Sequence, residues 1–384
     1  MKIAFITPEF PHPKMGSSGG IGTSILNLSK GLTSAGHEVT VLVYDQKVNQ
    51  FFEEDAISYY RIKNVKFKGF SRILTQIKIQ RLINKLVKMD KIDILEAPDW
   101  TGITSNINPK CPVIIRLNGS DTYFCHLESR PVKFLNKFYE KKALQNADAL
   151  LSVSHYAADL TRKLFELQRD FTIIPNSIDI DKFTFNEKIP IQENTILYFG
   201  TLIRKKGLLE LPIIFNEVYK HNNQAKLILI GRDASDIISG NTSTWQMMQL
   251  LFDKAAIQNV YYLGSVSYDK IKAHISSAAV CVFPSFAEAL PVSWIEAMAM
   301  QKAIVASNIG WSKEVIDDGV NGFLVDPKEH KLFAKKIVEL LENSSLRNQF
   351  GIESRKKVAQ KFSIEVIANQ SFNFYDNTLK NKKR

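Results

Sequence analysis

Short apolar runs, each closed by a turn residue and followed by a stretch of helical spacing, recur along this chain. Runs of this length are too short for buried helices and read as strands covered on both faces. KIAFIT at 2–7 is the first. A glycine-rich loop, MGSSGGIG, spans 15–22, and a helix is predicted over about 21–35 with Gly36 as its stop signal. Further strands are predicted at 38–44, 92–96, 113–117 and 149–154, the last followed by a helix from about His155. The stretch IIPNSIDIDKFTFNEKIPIQEN is rich in Asn, Asp and Pro and has weak periodicity, which places a linker at about 183–194. Alternation resumes at Thr195 with TILYFGTL, KLILIG, VYYLG, AVCVFPS and AIVAS, each separated from the next by a helical stretch.

Strand–helix alternation of this kind means parallel sheets with helices on both faces. Two such blocks predict an α/β protein of two facing Rossmann-like domains, 1–183 and 184–361. The length of 384 residues agrees, being too great for one ordinary core. A hydrophobic content of 45% and a charged content of 23% are those of a soluble globular protein. No apolar run reaches the roughly 18 residues that a membrane-spanning helix needs, and MKIAFITPEF lacks the longer apolar core of a signal peptide. Cys111, Cys125 and Cys281 are scattered and form no CxxC pair, which reads as reduced thiols and a cytoplasmic protein. The net charge of +11 admits anionic partners, but no RNP-type aromatic motif or zinc-ligand spacing points to nucleic acid.

The candidate chemistry lies in PSFAEALPVSWIEAMAMQKAIVAS. The apolar segment before it reads as a buried strand, and Pro291 suits the first turn of the helix that follows. Glu288 then falls in the strand-to-helix turn and Glu296 one to two turns into the helix. A helix start at the end of a parallel strand binds anions, because free N–H groups and the helix dipole point into the crevice. A phosphate there, flanked by two carboxylates able to accept sugar hydroxyl protons, describes a nucleotide-sugar site. The first glycine loop is not a dinucleotide fingerprint. Starting from Gly20, the pattern G-x-G-x-x-G requires glycine where Ile25 stands, and starting from Gly19 it fails at Ile21.

GGIGTSILNLSKGLTSAGHEVTVL, SVSHYAADL, IIPNSIDIDKF, YFGTLIRKKGLLE, PSFAEALPVSWIEAMAMQKAIVAS and EVIDDGVNGFLVDP occur in the order and spacing of one family. In these segments the chain resembles the GT-B glycosyltransferases, specifically glycosyltransferase family 4, over nearly its whole length. The resemblance implies an interdomain cleft as active site and a C-terminal helix, about 362–384, that returns to the first domain. It implies transfer of a sugar from a nucleotide diphosphate sugar to a glycan, glycolipid or other hydroxyl acceptor, with retention at the anomeric carbon and no metal or other cofactor. The first domain would hold the acceptor and the second the donor. A cell-surface polysaccharide or glycoconjugate is the expected product.

Residue by residue, the resemblance assigns Glu288 to the donor sugar and Glu296 to the ribose hydroxyls. Lys206 would stabilise the growing charge on the leaving diphosphate. Arg204 would assist it, Gly20 would offer backbone N–H to the diphosphate, and Leu290 and Pro291 would line the donor site. Asn118, Asp121, Asp99 and Trp311 are candidates for the acceptor or sugar pocket, with loop capping the equal alternative for the first three. The chain departs from the family at four positions. Thr201 follows Gly200 where Arg is usual, and Asn118 stands where many relatives have His. Gln301 replaces a common Gly, and Trp311 follows Gly310 where a second Gly is frequent. No first-domain residue must serve as a nucleophile, and the resemblance implies a front-face reaction in which the departing phosphate takes the acceptor's proton. A sugar-nucleotide epimerase or phosphorylase, and an inactive sugar-binding protein, are the alternatives.

A membrane contact is a further expectation. In residues 78–91, Lys78, Arg81, Lys85 and Lys88 share one side of a helix, and Ile79, Leu82, Ile83 and Leu86 another. With the LKNKKR tail this offers a basic face to anionic lipid at the inner face of a membrane. The same pattern also suits a surface helix whose apolar side lies in the core.

Overall fold

The computed structural model describes residues 1–16, 18–186 and 188–382. The chain divides into two compact units, Met1–Ser177 with Phe362–Arg384, and Ile178–Lys361. The boundary falls ahead of the expected linker at about 183–194. That stretch is polar in composition, yet Ile178 and Phe183 are buried. Arg355 Nη1 donates to the Phe183 carbonyl at 2.7 Å and to the Ala299 carbonyl at 2.7 Å, tying the segment to the second unit.

Among the described residues the first unit holds eight strands: β1 (Lys2–Thr7), β2 (Glu38–Gln46), β3 (Gln50–Glu54), β4 (Ile57–Lys63), β5 (Ile94–Pro98), β6 (Val113–Leu117), β7 (Ala149–Ser152) and β8 (Thr172–Ile173). Their order in the sheet is β3-β4-β2-β1-β5-β6-β7-β8. All neighbours run parallel except β3 and β4, an antiparallel hairpin at the edge. Its turn residues Asp55 and Ala56 are both left-handed, with φ of 51° and 60°. Such a turn is normally marked by glycine, and its absence hides the hairpin from a sequence reading. The central strands β1, β5 and β6 are apolar almost throughout because helices cover both faces.

Among the described residues the second unit has six parallel strands: β9 (Gln192–Phe199), β10 (Lys226–Ile230), β11 (Val260–Tyr262), β12 (Ala278–Phe283), β13 (Ala303–Ser307) and β14 (Phe323–Val325). Their order is β11-β10-β9-β12-β13-β14. In each sheet the chain builds outward from the first strand, then returns to build on its other side. The reversal falls between β1 and β5 in one unit and between β9 and β12 in the other. In open parallel sheets, ligands sit beyond the carboxyl ends of the strands at such a switch point.

The helix Ile364–Lys382 belongs to the first unit. It lies so close to the helix Gly20–Ser34 that a Cβ on Gly31 would come within 2.5 Å of Ile364 Cγ2. A buried polar cluster pins it. The Arg116 guanidinium donates to both oxygens of Glu96, at 2.7 and 3.1 Å, and Tyr375 Oη donates to Glu96 Oε2 at 2.5 Å. Arg116 also donates to the Ile174 carbonyl and Ser371 Oγ, so the buried charges have hydrogen-bonding partners, as burial demands.

The helix Ser71–Lys88 settles the two readings of residues 78–91. Ile79, Ile83 and Leu86 are core residues beneath the sheet. Lys78 Nζ is held by Asn49 Oδ1 at 2.7 Å and the Lys63 carbonyl at 2.6 Å. This stretch is a surface helix with its apolar side packed. In the C-terminal tail, Lys382 pairs with Asp148 at 2.9 Å, and Lys383 and Arg384 lie outside the described residues. Among the described residues no helix is long and apolar enough to cross a membrane.

Candidate active site

In the second unit the loops that leave β9 and β12 at the switch point are bound to each other through their backbones. Residues Arg204–Lys206 form a single 3-10 turn closed by Gly207. Gly207 has φ of 71°, and a Cβ there would stand 1.8 Å from the Pro284 carbonyl oxygen, so only glycine fits. The Phe286 and Ala287 N–H groups both donate to the Lys205 carbonyl, at 2.8 and 3.2 Å. This contact sets the position of the side chains on either side. Lys206 Nζ meets Glu288 Oε1 at 2.6 Å, with Lys206 20% and Glu288 12% exposed. Ser285 Oγ donates to the same oxygen at 3.4 Å.

The helix Val292–Ala299 follows, with Pro291 as the residue before its first turn. Pro291 is thus one position earlier than expected, and its ψ of 117° is extended rather than helical. The helix buries Trp294, Ile295, Ala297 and Met298, and Trp294 stacks on Phe283 of β12 at 6.1 Å. Glu296, on the same helix, is buried to 7% exposure. Leu290 is also buried, at the mouth of this helix. Tyr198, buried in β9, donates to the Thr201 carbonyl at 3.0 Å. Burial pushes its phenol well above the ordinary value, and the Glu288 charge adds to the shift.

Two assignments to this unit change. Arg204 is bound bidentately to Asp236, at 2.8 and 2.7 Å, and so ties the turn after β9 to the loop after β10. Asp236 is buried, accepts Ser239 N and Oγ as well, and is held well below the usual carboxylate range, chiefly by Arg204. The guanidinium is therefore a structural tie rather than an uncommitted phosphate ligand. Trp311 is fully buried and presents no surface to a sugar. Its bulk is spent in the core because the turn after β13 folds its side chain inward.

In the first unit the loop after β1 leads into the helix Gly20–Ser34, capped by Gly19. The space where a Gly20 side chain would lie is open. Two positions on, Gly22 N–H donates to Glu9 Oε1 at 3.2 Å. Glu9 escaped the sequence reading, yet it places a carboxylate against the positive end of this helix. The first turn of the helix itself carries no acidic residue.

At the ends of β5 and β6, Asp99 Oδ1 accepts the Asn118 N–H at 2.9 Å. Asp99 is 1% exposed, and its second oxygen has no hydrogen-bond partner among the described residues. Burial pushes its carboxyl up to about 7, opposed by the Asn118 N–H and reinforced by the nearby Glu140 charge. Asp99 therefore positions Asn118 from behind. The Asn118 amide donates to the Arg116 carbonyl at 3.3 Å. Asp121 opens the helix Asp121–Leu127, and its Oδ2 accepts Asn136 Nδ2 at 2.8 Å. Glu140 lies beneath all of these. It accepts Thr101 N, Asp121 N, Thr122 N and Thr122 Oγ1, so one buried carboxylate organises the loop after β5 and the start of the Asp121 helix. In the sequence NKFYEKKAL it looks like any surface helix glutamate, and nothing there marks it. Among the described residues, no group of three or more His, Cys, Asp or Glu is arranged to hold a metal ion.

Comparison with known proteins agrees with this architecture. Residues 179–357 match the profile of the glycosyl transferases group 1, and residues 18–182 that of glycosyltransferase family 4. An uncharacterized glycosyltransferase of Methanocaldococcus jannaschii is 26% identical over 98% of both chains. The phosphatidyl-myo-inositol mannosyltransferase of Mycobacterium tuberculosis is 24% identical, over 98% of this chain and 97% of its own. Among solved structures, Anabaena HepE, crystallised with UDP and glucose, superimposes with a TM-score of 0.75 at 19% identity, covering 98% of this chain and 99% of that one. The fold is that of the GT-B glycosyltransferases. With nearly the whole length of both units matched, the chain belongs to the family-4 glycosyltransferases.

Proposed function

We propose that this protein transfers a sugar from a nucleotide diphosphate sugar to a hydroxyl acceptor with retention of anomeric configuration, on a glycan or lipid-linked acceptor that contributes to a cell-surface glycoconjugate. The single observation that carries the proposal is the Lys206–Glu288 contact of 2.6 Å at the switch point of the second sheet. It brings a fixed cation and a carboxylate together beside the amino end of the Val292–Ala299 helix.

In this reading the second unit holds the donor. The diphosphate lies against the helix start, and Lys206 takes up the charge that grows on it as the bond to the anomeric carbon breaks. Glu288 holds a hydroxyl of the donor sugar, and Glu296 the ribose. The Lys206–Glu288 pair keeps both side chains in place before the donor arrives, which lowers the cost of organising them at the moment of reaction. The first unit holds the acceptor, with Asn118 and Asp121 as its contacts. Gly20, beside open space at a helix start, offers N–H to an anion. In the transfer step the acceptor oxygen forms a bond to the anomeric carbon on the face that the phosphate leaves. The departing phosphate oxygen takes the acceptor's proton, so no protein nucleophile is needed. The cation on Lys206 performs the charge neutralisation that a metal performs elsewhere, and activity is expected to survive chelation by EDTA. A cytoplasmic enzyme working at the inner membrane surface fits this set of substrates.

The test is a thermal-shift screen against UDP, GDP, ADP and their sugars, because a ligand that binds only the folded state raises apparent stability. One nucleotide series should stabilise the protein, and Lys206→Ala should abolish that shift. Failure of every nucleotide to stabilise the wild-type protein would remove the reading.

A further inference from the structure

The first unit exposes a cluster of large apolar side chains that no part of the proposed chemistry uses. Phe134 is 79% exposed, Leu135 59% and Phe138 50%, all in the first turns of the helix Phe134–Asn146. Phe67 and Phe70, just ahead of the helix Ser71–Lys88, are 60% and 57% exposed. Single exposed apolar residues are ordinary, but a contiguous group marks a surface with a partner.

The two groups are neighbours. Phe134 and Phe138 stack at 6.5 Å, and Phe138 meets Tyr139 at 5.4 Å. The Arg72 guanidinium lies 4.1 Å over the Tyr139 ring and also donates to the Gly102 carbonyl. Phe70, two positions before Arg72, stands 6.2 Å from Phe67. Arg72 therefore links the Phe134 group, through Tyr139, to the helix start at which Phe67 and Phe70 lie.

Its charge is one-sided. Residues 61–89 and 129–139 contain twelve Lys and Arg and no Asp or Glu. Exposed Lys66, Lys68, Lys133 and Lys137 stand directly beside the rings in sequence. Aromatic side chains suit the boundary between lipid head groups and acyl chains, and lysines beside them suit anionic head groups. The patch also borders the proposed acceptor contacts. Asn136, between Leu135 and Phe138, donates to Asp121 at 2.8 Å.

We propose that the first unit docks on an anionic lipid bilayer through Phe67, Phe70, Phe134, Leu135 and Phe138, which brings Asp121 to the level of the head groups and of a membrane-embedded acceptor. The docking stands on the patch itself, and only the choice of acceptor rests on the glycosyltransferase reading. The occupied face is not the one expected from residues 78–91, whose apolar side is in the core.

The test is flotation of the full chain with vesicles of phosphatidylcholine alone and of phosphatidylcholine with phosphatidylglycerol. The protein should float with the mixed vesicles and not with the neutral ones, and added salt should weaken the binding. Phe134→Ser with Phe138→Ser should lower the partition coefficient at least tenfold, and so should Phe67→Ser with Phe70→Ser as an independent pair. Lys133→Glu with Lys137→Glu should remove the preference for anionic vesicles. Far-UV circular dichroism and the nucleotide-induced thermal shift should be unchanged in all of them. Absence of flotation with mixed vesicles at low salt overturns the proposal. So does concentration-dependent self-association in light scattering that the same Phe pairs abolish, because the patch would then belong to a second copy of the chain. Loss of the nucleotide shift in the wild-type protein would count against the enzymatic reading and leave the docking result standing.

Discussion

Lys206 and Glu288, 82 positions apart, meet at 2.6 Å because the turn after β9 and the loop after β12 share backbone hydrogen bonds. The pair is one feature built by two loops, and either loop positions the other. Removing the ammonium by Lys206→Ala should lower kcat by about 100- to 1,000-fold, the range seen when one fixed donor to a developing charge is lost. Glu288→Gln should lower kcat/KM and leave the nucleotide's own binding nearly intact, since the contact proposed for it is with the sugar. Steady-state kinetics with the donor found by thermal shift, beside the binding of the bare nucleotide, separates the two. Near wild-type turnover in Lys206→Ala would refute its role.

Gly207→Ala tests the scaffold rather than the chemistry. A methyl group at this residue would overlap the Pro284 carbonyl oxygen and would have to adopt φ of 71°. The cost should exceed the usual 1 kcal/mol of a glycine substitution and reach roughly 2–4 kcal/mol, because steric overlap adds to backbone strain. Urea unfolding followed by fluorescence measures it. A change within experimental error would mean that the two loops separate easily.

Asp99 should make stability depend on pH. Its carboxyl titrates at about 7 in the folded protein, whereas an unfolded aspartate titrates near 3.9. The folded state therefore holds a proton that the unfolded state gives up between those values. The contribution is full below pH about 4 and is lost as pH rises to about 7, at up to about 1.4 kcal/mol per unit. Asp99→Asn keeps an oxygen for the Asn118 N–H and removes the titration. The stability difference between wild type and variant, from urea unfolding at a series of pH values, should change across that window and be flat above it. A difference independent of pH would show that Asp99 is ionised throughout.

Tyr375→Phe removes the tyrosine hydroxyl that donates to Glu96 and leaves Arg116 in place. Burial raises the Tyr375 phenol well above its ordinary value, so it is a neutral donor at any pH the protein tolerates. Losing a hydrogen bond to a charged acceptor should cost about 1.5–3 kcal/mol. The loss should appear as faster amide exchange along Ile364–Lys382 with little change in the second unit. Equal loosening of both units would argue that the cluster does not act locally.

Much of the fold was legible in advance. KIAFIT and VIIRL are short, mainly apolar runs with turn residues after them, and both are central strands with the predicted bounds. The edge hairpin was not legible, because its turn is Asp55-Ala56 rather than a glycine pair. Nor was the unit boundary, because two buried apolar residues, Ile178 and Phe183, hide in a polar stretch. At the candidate site, motif spacing singled out Lys206 and Glu288 and position after a strand singled out Asn118 and Asp121, but the meeting of Lys206 with Glu288 across 82 positions was not visible in it. The tie of Arg204 to Asp236 was not legible, since the two are 32 positions apart on different loops. Trp311 was misread as a pocket residue, since a sequence does not show which way a loop turns its side chain.

Local pattern and turn chemistry in the chain determined the alternation of strands and helices, the parallel sheets and the loops that carry the candidate chemistry. These depend on neighbours a few residues apart, and a linear reading sees such neighbours. Tertiary structure alone decided the partners: Glu140 beneath Asp121 and Thr122, Asp236 on Arg204, Tyr375 on Glu96 across 279 positions, and Arg72 on the Tyr139 ring. Those pairings follow from strand order and helix packing, which bring distant residues within a hydrogen bond of each other and leave no trace in the spacing of the residues themselves.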